Sequence, residues 1–150
     1  MPIVIENRQK KINVDRRSVR LTMSKIMKYL NCSDMLISLL FVDDREITDI
    51  NRHYLDRDCP TNVLAFSLAQ GEFGNINPNI LGDIVISTDT AHRDACESGI
   101  EFNDELAFLM IHGVLHLLNY DHENASPGET QEMEKKERDL FYLLKGYEIQ

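Results

Sequence analysis

The chain has 150 residues, 43% of them apolar and 27% charged, with 25 Asp/Glu against 16 Lys/Arg. That size suits one domain spanning 1–150 around a single core, and that balance excludes a disordered chain. A net charge of −9 argues against an indiscriminate nucleic-acid binder, because phosphate contacts supply most non-specific affinity.

The charge is unevenly spread. Residues 1–30 hold eight Lys/Arg and two Asp/Glu, a net of +6, whereas residues 31–150 carry −15. Cys32, Cys59 and Cys96 are odd in number and form no CxxC pair, which argues against a disulfide framework or a thiolate zinc knuckle. No run approaches the roughly 18 apolar residues of a membrane span. The opening MPIVIENRQKK lacks a basic-then-apolar signal pattern. The expectation is a cytoplasmic protein without a membrane partner.

In chain order, Ile3-Val4-Ile5 suits a short strand, and Asp15 can cap a helix over 16–30 with Val19, Met23, Ile26, Met27 and Leu30 on one stripe. The apolar run 35–42 reads as a central strand buried on both faces. Asp43 or Asp44 starts a helix through Tyr54, which Pro60 stops from continuing. Residues 62–68 and 81–87 read as strands, joined by a long loop holding Gly71, Gly74 and Pro78. Ser87 or Thr88 caps a helix to Ser98, ended by Gly99. Asn103 or Asp104 caps the next, which is apolar almost all round and therefore a core helix. Ser126, Pro127 and Glu129 form a capping box for the last, with Glu132–Lys136 and Glu134–Arg138 pairs outside and Met133, Leu140, Phe141 and Leu144 inside, and Gly146 at its end. The order βαβαββααα predicts an α+β fold, a small mixed four-stranded sheet covered by helices.

Three of the five histidines lie in the segment His112-Gly-Val-Leu-His116-Leu-Leu-Asn-Tyr-Asp-His122. On a helix, His112 and His116 stand about 40° apart around the axis and about 6 Å apart along it, so both imidazoles can reach one metal ion. His122, about 240° round from His116, joins them only if the helix stops and the chain turns back. Asn119 stands at the C′ position, where Asn tolerates the left-handed conformation such a stop uses. Three neutral imidazoles suit zinc best, with nickel, copper and iron also compatible by ligand type. Three ligands leave a coordination position for water, the pattern of a catalytic zinc.

Glu105 shares the helical stripe of His112 and is a candidate acceptor behind an imidazole; equally, it is a first-turn acid favouring the helix dipole. Asp121, beside His122, is a second candidate, with an Asx turn as its alternative. The HExxH peptidases place their general base directly after the first His, and here that position is Gly113. A peptidase mechanism thus lacks its proton acceptor. A mid-helix Gly costs about 1 kcal/mol relative to Ala, so it needs a reason, such as room for backbone or substrate.

At these residues the chain resembles the YbeY family, bacterial rRNA maturation factors regarded as single-strand-specific endoribonucleases. The family signature HGxLHLxGYDH is matched by residues 112–122, with Asn119 in place of Gly. Pro60-Thr61-Asn62-Val63-Leu64-Ala65-Phe66 is similar to the family's PTDVLSF, and Leu81-Gly82-Asp83-Ile84-Val85-Ile86 also matches. The resemblance implies a zincin-like α+β metal hydrolase with one Zn2+ per chain, held by His112, His116 and His122 as the catalytic centre. It further implies single-stranded RNA, ribosomal RNA and the small ribosomal subunit as partners, and a ribosome-assembly GTPase beside them. In the segment Asn51-Arg52-His53-Tyr54, the next residue is Leu55 where the family carries an Arg thought to contact phosphate. Arg57 and Arg52 are the neighbouring candidates for that contact.

The leading expectation is metal-dependent cleavage of single-stranded RNA. The basic helix (Arg16, Arg17, Arg20, Lys25, Lys28) then tracks phosphate, its alternative being an ordinary solvated face. The competing expectation is a non-catalytic ribosome-assembly factor whose metal only locks the helix end.

Overall fold

The computed structural model describes residues 3–67, 79–118 and 127–149. Along them run β1 (Ile3–Asn7), α1 (Arg16–Tyr29), β2 (Leu36–Val42), α2 (Asp44–Leu55), β3 (Val63–Ser67), β4 (Ile80–Ser87), α3 (Thr88–Ser98), α4 (Phe102–Leu117) and α5 (Pro127–Lys145). The strands form one mixed sheet in the order β1-β2-β4-β3. β1, β2 and β4 are parallel, and β3 lies antiparallel to β4 at an edge. The result is an α+β protein with a four-stranded mixed sheet and, among the described residues, five helices.

Alternation along the strands divides the core. Ile37, Leu39 and Phe41 of β2, with Ile84 and Ile86 of β4, pack into the main cluster with α1, α4 and α5. Val42, Leu64 and Val85 meet Ile47 of α2 in a smaller cluster. β2 is central but not buried on both faces: Leu36, Ser38 and Leu40 alternate with its buried residues and are only half-buried. The main cluster is the larger, and α2 gives the other face a thinner cover.

Side-chain caps set the helix starts. Asp15 accepts from the N–H groups of Arg17 and Ser18, Asp43 from Glu46, and Ser87 from Thr90. α2 ends at Asp56, which takes the left-handed conformation (φ 58), so the helix has stopped before Pro60 is reached. α3 ends as expected at Gly99, φ 70. α4 begins a half-turn earlier than expected. Its N-cap is Glu101, which makes no side-chain cap bond, and Asn103 and Asp104 lie inside the first turn. Phe102 packs against the main core and so draws the helix start upstream. Ser126 of the anticipated capping box and the 68–78 stretch of the long loop lie outside the described residues. Among the described residues, no helix is long and apolar enough to cross a membrane.

Candidate metal centre

α4 is buried on nearly every side, and from Glu105 onward its half-buried positions are Phe108, His112 and His116, at successive four-residue steps. The two histidines therefore occupy the accessible strip of an otherwise enclosed helix. Gly113 explains how the helix sits so deep: a Cβ there would lie 2.9 Å from Ile84 Cδ1 and 3.0 Å from its Cγ2. The close approach is made by a β4 side chain. Gly82 does the same at the helix end. Its φ is +151, and a Cβ there would lie 2.3 Å from the Phe66 carbonyl oxygen and 2.8 Å from Leu117 Cδ2.

On that strip, His112 Nε2 and His116 Nε2 face each other at 3.0 Å, with ring centroids 4.5 Å apart. His112 Nδ1 is hydrogen-bonded to the Glu137 carboxylate of α5, a buried side chain only 7% exposed. A carboxylate accepts, so this bond holds the proton on Nδ1 and leaves the Nε2 lone pair directed at His116. Phe108 stacks on His112 (centroids 6.4 Å, 30° between planes) and meets Phe141 edge-on at 6.3 Å. The His112 ring is thus held by a hydrogen bond and an aromatic contact before any ligand arrives.

This donor set fits a divalent ion of the zinc type. Zinc binds imidazole nitrogen at about 2.0–2.1 Å, so one ion reaches two nitrogens 3.0 Å apart, and a carboxylate behind a ligand His is its usual support. Among the described residues, no group of three His, Cys, Asp or Glu side chains could hold a metal. His122, the third expected ligand, and Asp121 lie outside those residues.

Sequence reasoning missed Glu137. Its signal was present: it falls on the apolar stripe of α5 with Met133, Leu140 and Phe141, all buried. An acid on a buried stripe needs a partner, and His112 is that partner. Glu105 is also buried, at 6% exposure, but it lines a separate cavity with Asp94, Glu97, Ser98, Phe108 and Ile149. Burial, and then the Asp94 carboxylate, push the Glu105 carboxyl up to about 7.

The cationic candidates divide by their contacts. Arg16 and Arg17 are exposed at the start of α1, whereas Arg20 is half-buried and donates to the Ile3 carbonyl at 2.6 Å, tying α1 to β1. Arg52 is paired with Asp49 at 2.6 Å and Asp58 at 3.0 Å. Arg57 is an exposed side chain just past the left-handed Asp56, with Leu55 45% exposed beside it.

A family model described as endoribonuclease YbeY matches residues 4–145. Curated proteins of that name are similar along almost the whole chain. The Syntrophus aciditrophicus protein is 54% identical over 149 residues, covering 99% of this chain and 93% of its own length. Those of Syntrophotalea carbinolica and Geobacter sulfurreducens are 48% and 43% identical, covering 95% and 97% of both chains. A Thermotoga maritima protein solved in solution shares the fold, with a TM-score of 0.63 and 22% identity over 96% of this chain and 92% of that one. The family match runs from β1 to the last residue of α5, through the imidazole pair and its carboxylate, and the chain belongs to the endoribonuclease YbeY family.

Proposed function

We propose that this protein is a zinc-dependent endoribonuclease that cuts single-stranded RNA in the cytoplasm, acting in ribosomal RNA maturation on the small ribosomal subunit. The observation that carries this reading is the 3.0 Å facing of His112 and His116 Nε2, with Glu137 behind His112. His112 and His116 would hold the ion together with His122, in a zincin-like arrangement. A zinc ion so held would supply Lewis acidity and water activation near neutral pH.

The protein's own contribution is positioning. Glu137 fixes the tautomer of His112, Phe108 stacks on its ring, and Gly113 lets α4 seat on Ile84. Arg16 and Arg17 are exposed cations of the +6 segment and would meet phosphate, while the −15 remainder limits non-specific binding. A ribosome-assembly GTPase would be a further partner.

The test pairs elemental analysis with cleavage of an unstructured RNA by wild type, His112→Ala and His116→Ala. The reading requires about one zinc per chain and cleavage that both substitutions abolish. Cleavage that persists after verified metal loss overturns the catalytic assignment. Stoichiometric zinc without cleavage favours an assembly factor with a structural metal.

A further inference from the structure

One turn of α4 before His112, α3 and α4 flank an open hollow of about 190 Å³ lined by Asp94, Glu97, Ser98, Glu105, Phe108 and Ile149. Two features set it apart from an ordinary acidic surface. Glu105 is more than nine-tenths buried, and its carboxylate has no hydrogen-bond donor among the described residues; what bears on it is desolvation and the like charge of Asp94. Nor is the cavity polar throughout, because Phe108 and Ile149 form an apolar wall beside the carboxylates. Asp94 already accepts from Asn62 Nδ2 at 3.2 Å, and Glu97 is exposed at the rim. The Glu105 carboxylate is thus largely shielded from water and meets solvent only through this hollow, where a cationic donor would offset its desolvation.

We propose that this cavity binds a primary ammonium group on an apolar stem, the chemistry shared by a polyamine and a lysine side chain. The carboxylates on α3 and α4 supply acceptors for the three N–H donors, and the Phe108 ring and Ile149 pack on the methylene stem. A directly coordinated metal fits less well, since among the described residues no three acidic, His or Cys groups lie close enough to hold one. The inference stands independently of the endoribonuclease reading.

The test is a titration of the full-length protein at pH 8 followed by amide chemical shifts, with spermidine, Nα-acetyl-lysine amide, magnesium chloride and sodium chloride at matched ionic strength. Saturable shifts at residues 94–98 and 105–108 are expected with the amines. Spermidine saturating at the lower concentration assigns a polyamine, and the lysine derivative doing so assigns a partner's side chain. Glu105→Gln should weaken binding about tenfold or more, a charged hydrogen bond being lost from a buried site. The exposed rim variant Glu97→Gln, which cannot disturb the core, should weaken it about two- to threefold. No saturation by either amine, saturation by magnesium alone, or affinity unchanged in both variants overturns the proposal.

Discussion

Glu137 of α5 accepts the Nδ1 proton of His112 of α4, joining two helices whose residues stand 25 apart in sequence. That carboxylate is buried, so it is both the orienting group of the imidazole and a charge that the fold tolerates because the imidazole is there. Glu137→Gln keeps the size and an acceptor but removes the charge. We expect zinc affinity to fall about 10- to 100-fold, read by competition with a chelating dye, with cleavage recovering at saturating zinc. Chelation should also lower the wild-type melting temperature more than that of the variant. Unchanged affinity would show that the bond serves packing alone.

Gly113 is placed for contact with Ile84. Alanine there gains about 1 kcal/mol of helix propensity, but its Cβ would sit 2.9 Å from Ile84 Cδ1, and overpacking costs about 1–3 kcal/mol. Gly113→Ala should therefore destabilise by about 1 kcal/mol in urea unfolding. Ile84→Val, which removes the nearest atom Cδ1 but keeps Cγ2 at 3.0 Å, should make the same substitution less costly. An additive double-mutant cycle would sink the steric account.

What the sequence reveals divides along physical lines. Caps at Asp15, Asp43 and Ser87 and the stop at Gly99 are local chemistry, so spacing alone finds them. The two-histidine strip on α4 is likewise a matter of helical period. Glu137 escapes because its partner lies on another helix, and the neighbouring i,i+4 pairs make the whole segment look like an ordinary charged surface. Arg20 escapes for the same reason: its bond to the Ile3 carbonyl is set by how α1 lies on β1, which no local pattern encodes. Glu101 replaces Asn103 and Asp104 as the cap of α4 because the packing of Phe102 outweighs cap preference.

Glu105 makes stability depend on pH. Its carboxyl titrates near 7 in the folded chain against an ordinary 4.5, through burial first and the Asp94 charge second. The other charged groups nearby are Glu97 on α3 and Asp104, which accepts from the Tyr147 hydroxyl at 2.8 Å and is paired with Lys145 at 3.2 Å. The folded state binds this proton more tightly than the unfolded one, so the carboxyl imposes no penalty below about pH 4.5, and stability falls as pH rises through 7. Glu105→Gln removes the penalty. Without added amines, the variant should match wild type near pH 4.5 and exceed it by about 2–3 kcal/mol above pH 8. A pH-independent difference in denaturant melts would refute this.

The basic helix offers a test that separates a binding surface from a structural one. Arg16 and Arg17 are exposed, whereas the Arg20 guanidinium is committed to the Ile3 carbonyl at 2.6 Å. If α1 tracks phosphate, Arg16→Gln with Arg17→Gln should weaken binding to an unstructured RNA at every sequence tested. The slope of log affinity against log salt should fall by about 0.7 for each phosphate left without its cation, with unfolding unchanged. Arg20→Gln should do the reverse, lowering stability by about 1–2 kcal/mol through the orphaned carbonyl while leaving the salt slope alone. Equal salt slopes in wild type and the Arg16/Arg17 double variant would mean that the +6 segment is only a solvated face, and that RNA is held by other cations, Arg57 first among them.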